Sequence, residues 1–478
     1  MGVNSDQFGR TDRSAGAKSG ASAWWEEVRA TFVLAWPLVF TQLAVIAINT
    51  TDVLMMGWLG PQELAAGTLA YAFYTLFFFF GLGLLTAVAP ICAQALGARQ
   101  YRIVRRTVRQ GFWVAILVAM PFIAVIYHAR PVFLFFGQTE INSELAEVYL
   151  RAAVWGLLPA LWLIVLRCFV SALSRPRSIL IVTLLGVLAN ALGNYALMFG
   201  NFGFPALGLL GAGITTSIVN FVMFAVMLTF VSTDRRIRRF AIIVRFWRPD
   251  WSIFGSILKV GWPIGVSVVS ETGMFGVAAF MMGLISTAAV AGHAVALQCA
   301  AVAFMVPLGV SHAATIRVGI GAGRRDAAAV WRAGWSSYGL STVFCLASAL
   351  LFWLVPLTLV SLFLDPDLAE NAEPIALAVS FLGIAALFQI VDGLQIVGAG
   401  ALRGLKDTTK PMVIAAVGYW VIGFGSGYYL GFVQGLGGMG IWIGLAIGLT
   451  FVAVALLWRF AILGSGLSYP EKPALAVA

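Results

Sequence analysis

The sequence is short of charge. Asp, Glu, Lys and Arg make up 10% of its 478 residues, while hydrophobic residues make up 61%. A soluble globular domain is about 25% charged, so a soluble enzyme of this length is excluded. The same apolar content excludes intrinsic disorder. Cysteine is scarce as well. Cys92, Cys168, Cys299 and Cys345 all lie in apolar runs and no two are spaced as C-x-x-C, so neither a disulfide framework nor a zinc site is expected. His128, His293 and His312 lack metal-ligand spacing. No Walker A sequence or other nucleotide fingerprint occurs, so ATP is not expected to supply energy through this chain, and no cofactor is expected. Residues 1–29 are polar and rich in glycine and serine. They hold no apolar core before a cleavage site, so no signal peptide is expected.

What is present is a succession of apolar runs, each about 20 residues long. That is the length of membrane-crossing helices rather than of alternating barrel strands. Twelve spans are read at 31–56, 64–91, 111–128, 148–172, 178–200, 207–231, 254–283, 289–316, 333–360, 376–402, 411–431 and 438–462. With twelve spans, all 30 basic residues except Arg130 and Arg151 fall on one side. The opposite loops are acidic: Glu140, Glu144 and Glu147, then Asp365, Asp367, Glu370 and Glu373. The positive-inside rule then places both termini in the cytoplasm. The formal charge of +10 is topological, with anionic lipid rather than nucleic acid as its partner.

The chain repeats itself. Ala35-Trp36-Pro37 aligns with Gly261-Trp262-Pro263, and Met55-Met56-Gly57 with Met281-Met282-Gly283, at a constant offset of 226. Gly83 meets Gly309, Gly97 meets Gly323, Arg99 meets Arg325 and Arg106 meets Arg332 in the same register. Six spans per half give both halves one orientation, a parallel repeat about an axis along the membrane normal. The expected fold is an all-α polytopic membrane protein of 12 transmembrane helices, two parallel six-helix repeats around a central cleft. The expected division is a cytoplasmic tail 1–28, a lobe 29–231, a basic linker 232–253, a lobe 254–463 and a cytoplasmic tail 464–478. Each half opens with a helix containing a proline, Pro37 or Pro263, which removes a backbone hydrogen bond and makes a candidate hinge.

Three carboxylates, Asp52, Glu271 and Asp392, fall inside apolar spans. Each costs about 2.5–3.5 kcal/mol at mid-membrane if charged and unpaired. No Lys or Arg falls in the middle of a span; Arg167 and Arg403 are read as anchors snorkelling to the cytoplasmic surface. Such acids are protonated or hold a cation. Asn190 and Asn194 are four residues apart, on one face of span 5. They are candidates to pair with neighbouring helices or to join Asp52 as oxygen ligands of a small hard cation, with Thr216 as a candidate hydroxyl. Gln42, Tyr71, Gln298 and Gln389 are candidate cleft-lining residues, and Gln395 lies near the acids of the second half. For Asp52 a plainer role, capping the outer end of span 1 in headgroup water, is the competing reading.

Pro37, Asp52, Gly57–Gly60, Leu64–Ala66 and the run Ala89–Ala98 resemble the first two helices of a MATE (multidrug and toxic compound extrusion) transporter. Leu402–Thr408 with Pro411, and Gly437–Gly444, resemble the second-half motifs of that family, and the resemblance spans residues 28–465. Glu271 and Asp392 match the acidic pair of its NorM-like branch. The resemblance implies two six-helix lobes and alternating-access efflux of amphipathic organic cations in exchange for Na⁺ or H⁺, in a bacterial-type cytoplasmic membrane and as a monomer. Asn190 and Asn194 resemble its N-lobe ion-site pair, with Asn where some members carry Asp at the second position. A lipid-linked oligosaccharide flippase of the same superfamily is the alternative. It would need cationic residues in the cleft. A membrane enzyme would need a His or Cys constellation, which the sequence lacks.

Overall fold

A computed structural model describes residues 20–467 apart from Ile243 and Arg245. Arg10, Arg13, Lys18, Arg245 and Lys472, with most of both tails, lie outside the described residues. Among the described residues, twelve helices are long and apolar enough to cross a membrane. They are α1 Ala21–Leu59, α2 Pro61–Gly97, α3 Tyr101–Tyr127, α4 Glu140–Ala172, α5 Arg177–Leu197, α6 Leu209–Thr233, α7 Trp251–Gly283, α8 Thr287–Arg324, α9 Ala327–Leu354, α10 Ala369–Gly404, α11 Thr409–Val433 and α12 Gly437–Ser465. Helix is the form these runs take because hydrocarbon offers no partner for an exposed N–H or C=O.

The expected ends differ from the observed ones where helices continue past the first charge. α3 starts at Tyr101 rather than 111. Val104, Thr107 and Val108 are buried there while Arg102 and Arg106 are exposed. The arginines assigned to a loop therefore form an amphipathic first stretch of helix. α4 starts at Glu140 rather than 148, capped by the Thr139 side chain, which accepts from Asn142 N. α9 stops at Leu354 because Pro356 opens a separate helix, Pro356–Ser361, whose counterpart in the first half is Arg130–Phe135. The caps repeat too: Arg99 and Arg325 both adopt left-handed conformations, with φ of 60° and 59°.

The linker follows α6 as a chain with one 3-10 turn, Arg238–Phe240. α3 holds it through side chains that donate to its backbone: Arg109 to Val244 O (3.0 Å), Gln110 to Arg248 O (3.2 Å) and Trp113 to Phe246 O (3.2 Å).

The two lobes meet through their repeated glycines. Gly83 of α2 lies against the backbone of Gly265 of α7, and its repeat counterpart Gly309 lies against Val39, the counterpart of Gly265. Gly97 faces the carbonyl of Ile320, and Gly323 faces that of Gln94, the counterpart of Ile320. The interface is thus reciprocal about the pseudo-twofold axis, with small residues letting backbones approach. Polar bonds join the lobes at the same end. Arg317 donates twice to the buried Glu27 (2.8 and 2.6 Å), Gln94 donates to Gly404 O (2.8 Å), and Arg106 pairs with Asp250 (3.1 Å). The lobes are therefore packed together at this end.

The two candidate hinge helices, α1 and α7, run unbroken through Pro37 and Pro263. At each, a hydroxyl four residues on bonds the proline carbonyl: Thr41 to Pro37 O (2.7 Å) and Ser267 to Pro263 O (2.8 Å). These hydroxyls are repeat counterparts, and such back-bonding bends helices.

α11 contains π-helical turns at Val417–Gly423 and Tyr429–Val433. Its glycines 418, 423, 427 and 431 line one stripe against Gly448, Gly444 and Gly440 of α12. The five-residue step from Gly418 to Gly423 is taken up by the wider π turn, which carries one more residue than an α turn.

Candidate functional site

Asp52, Asn190 and Asn194 come together between α1 and α5. The amide nitrogens of Asn190 and Asn194 donate to the same Asp52 oxygen, at 2.8 and 2.6 Å. Asp52 is 7% exposed, Asn190 1% and Asn194 0%. The capping reading of Asp52 does not hold, because α1 continues to Leu59 and the carboxylate is buried. Both asparagine carbonyl oxygens are buried and have no hydrogen-bond partner among the described residues. An unpartnered buried acceptor is expensive, so this cluster is oxygen-rich and short of donors. Tyr71 of α2 and Tyr149 of α4 are the phenols within electrostatic reach of Asp52. Thr216 donates to Ala212 O of its own helix at 3.0 Å and is in hydrogen-bond contact with the Tyr149 side chain.

The second cluster lies in the C-terminal lobe. Gln395 of α10 donates through one amide nitrogen to Glu271 of α7 (3.0 Å) and to Asp392 of its own helix (3.3 Å). Its amide oxygen accepts the hydroxyl of Tyr419 at 2.8 Å. With two carboxylates on one side, the amide presents its nitrogen there and its oxygen to the phenol. Tyr419 sits in the first π turn of α11. The next residue, Trp420, donates to Ser270 Oγ at 2.7 Å. Asp392 is buried and Glu271 half-buried, facing a pocket also lined by Ser267, Gln395, Arg403, Thr408 and Tyr419.

Arg403 corrects the sequence reading. It does not snorkel to the surface but lines the same pocket as Glu271, within electrostatic reach though not in ion-pair contact. The register of α10 turns it inward, where the bundle supplies a carboxylate. Arg167 also turns inward, donating to Gln42 at 3.3 Å; His312 of α8 lies within electrostatic reach of both arginines.

The candidate cleft residues scatter. Gln42 is half-buried and held by Arg167, and Tyr71 is half-buried beside Asp52. Gln298 is exposed on α8. Gln389 is 0% exposed and donates to Ala300 O (2.9 Å), tying α10 to α8. Pro37 lies about four turns along α1 from Asp52, and Pro263 about two turns along α7 from Glu271. Sequence reasoning did not single out Tyr419, Tyr149 or the inward turn of Arg403. Tyr419 carried a signal, a phenol amid glycines with an irregular five-residue step.

The MatE family model matches the chain twice, at residues 37–196 and 263–429, one match per half. A protein of Mesorhizobium japonicum named as a probable multidrug resistance protein NorM is 46% identical over 448 residues, covering 93% of this chain and 96% of that protein. Its namesake in Brucella suis is 43% identical, covering 92% and 94%, and that of Synechocystis is 38% identical, covering 91% and 94%. Among solved structures, the eukaryotic MATE transporter AtDTX14 superposes with a TM-score of 0.81 at 19% identity, covering 92% of this chain and 96% of that one. An outward-facing multidrug resistance MATE transporter of the MOP superfamily gives 0.83 at 19% identity, covering 93% and 97%. At that identity the likeness is one of fold. Two six-helix halves, each matched by the model, and relatives above 40% identity over nearly the whole length lead to one conclusion: the chain belongs to the MatE family.

Proposed function

We propose that the protein is a secondary multidrug efflux transporter that exports amphipathic organic cations in exchange for H⁺ or Na⁺, as a monomer in a bacterial cytoplasmic membrane with both termini inside. It is not an enzyme, and the relatives' naming as multidrug resistance proteins weighs against a flippase. The observation that carries the exchange reading is that each lobe holds a carboxylate cluster, buried or half-buried, with no ion-pair partner among the described residues: Asp52 with Asn190 and Asn194, and Glu271 with Asp392 and Gln395. Removing a carboxylate from water is tolerable only when it is neutralised, so each cluster is built to take up and release a cation. A cationic drug and the coupling ion compete for the same negative charge. Each inward elementary charge carries about 2.3 kcal/mol per 100 mV of membrane potential. That energy drives export only if ion and drug favour opposite conformations.

In the N-terminal lobe, Asp52 and the two unpartnered asparagine carbonyls offer the oxygen set that a small hard cation uses; a proton on Asp52 is the other way to neutralise it. Either event changes how α1 is tied to α5, and the proline-bearing stretch near Pro37 is where α1 bends in response, with Pro263 serving α7 in the same way. The test is transport by purified protein in nucleotide-free liposomes. An imposed H⁺ or Na⁺ gradient is expected to drive uptake of a fluorescent organic cation, and uptake that is equally fast without any gradient would overturn the exchange reading.

A further inference from the structure

The span α2 is built from two helices, Pro61–Leu85 and Val88–Gly97, interrupted at Thr86 and Ala87. Pro90 is the cause. Proline has no N–H to give the carbonyl four residues back, and its ring crowds that carbonyl. The Thr86 carbonyl takes the Ala89 N–H instead, at 3.0 Å, and the Ala87 N–H likewise reaches back only three residues, to Leu84 O at 3.4 Å. Thr86 and Ala87 have 3-10 dihedrals, with φ of −59° and −56° and ψ of −21° and −24°. The Thr86 hydroxyl donates to Leu82 O and Gly83 O at 2.7 and 2.8 Å, and the Cys168 thiol of α4 donates to Leu85 O at 3.9 Å. A 3-10 stretch inside a helix often marks a hinge.

The interruption divides the contacts of α2 with the other lobe. Before it, Gly83 lies on Gly265 of α7. After it, Gln94 donates to Gly404 O of α10 at 2.8 Å, Ala93 packs on Gly319 of α8, and Gly97 packs on the α8 backbone from Ile320 to Arg324. Just past the segment the chain turns at Arg99, with φ of 60°. In the repeat register the counterpart of this segment is 314–323. There Ile316 stands in place of Pro90, and α8 runs on without interruption.

We infer that Val88–Gly97 is a hinged clasp, by which the N-terminal lobe grips α8 and α10 through a segment that swings about Thr86–Ala87, while the C-terminal lobe's half of the same contact is rigid. The interface at this end is symmetric in its contacts and asymmetric in its mechanics. The clasp has 10 residues. It is about 15 Å long, so a swing of about 20° carries its end about 5 Å.

Spin-label distances in the purified full-length protein test this without transport. A pair at Ala98 and Ser232 reports the clasp against the end of α6 in its own lobe. A pair at Ser232 and Ser465 reports one lobe against the other. All three positions are exposed. Gly323→Ala sets a methyl against the backbone of Gln94. It is expected to shift the Ala98–Ser232 distance by about 5 Å and to leave Ser232–Ser465 as in wild type. Adding Pro90→Ala restores the missing N–H. It is expected to return Ala98–Ser232 to its wild-type value and to lengthen Ser232–Ser465 instead, because a continuous α2 passes the strain to the whole lobe. The inference is overturned if Gly323→Ala lengthens Ser232–Ser465 with Ala98–Ser232 unchanged, if it moves neither distance, or if Pro90→Ala leaves the clasp shift in place. Should Gly323→Ala not fold, Gly97→Ala strains the same contact from the other side, its Cβ 3.0 Å from Arg324 N and 3.1 Å from Gly323 Cα, and the same distances decide.

Discussion

Replacing Gly83 with alanine separates the state in which the lobes pack at this end from every state in which they part. A Cβ at Gly83 would stand 2.7 Å from the Gly265 Cα, 2.9 Å from its nitrogen and 3.0 Å from the Ile264 carbonyl oxygen. All three are backbone atoms, so no side chain can swing aside. Forcing an extra methyl into a close-packed contact costs about 1–3 kcal/mol, and every 1.4 kcal/mol is about tenfold in an equilibrium. The strain exists only when α2 meets α7 across the lobe interface. Gly83→Ala is therefore expected to fold normally and to shift the population roughly 5- to 150-fold toward a cytoplasm-open form. Spin-label distances across the cytoplasmic ends of α2 and α8 would lengthen. Gly276→Ala on α7 is the control, since nothing lies within 4 Å of its added Cβ. A distance distribution identical to wild type, in a Gly83→Ala protein of normal stability, would refute the proposed interface.

Glu27→Gln is expected to move the same distances in the same direction by about 1–3 kcal/mol, because it leaves the partly buried Arg317 without its charge partner; unchanged distances would count against Glu27–Arg317 as a latch. Asp52→Asn exchanges a charged acceptor of two hydrogen bonds for a neutral one, weakening the tie by about 1–2 kcal/mol and removing the exchangeable charge. Coupled efflux at matched expression should fall at least about tenfold, and near-normal efflux would exclude Asp52 from coupling. Tyr419→Phe removes the hydroxyl that orients Gln395, so efflux should drop several-fold while Gln395→Leu abolishes it; wild-type rates in Tyr419→Phe would show that the phenol positions nothing.

Most of the architecture was legible because the bilayer permits little else. Apolar run length set the number of helices. The repeated glycines were visible as identities at Gly83 and Gly309, and at Gly97 and Gly323. Their reason, reciprocal backbone contact between lobes, appears only in three dimensions. Helix ends were misjudged at α3 and α4, where charged residues ride on amphipathic turns at the membrane surface. The Asp52–Asn190–Asn194 cluster was legible from helical spacing plus depth. The Gln395 bridge was only half legible: the acids stood out as charges in apolar runs, but a phenol on a distant helix does not. Arg403 was misread because its depth suggests snorkelling, whereas the direction of its side chain depends on which face of α10 meets α7.

The account's central claim is that buried carboxylates exchange a coupling ion for drug. Its most direct test is gradient-driven uptake of an organic cation into liposomes containing wild type, Glu271→Gln or Asp392→Asn, reconstituted at equal density without nucleotide. The account predicts gradient-dependent uptake by wild type and its loss in both variants; wild-type uptake rates in both variants would contradict it.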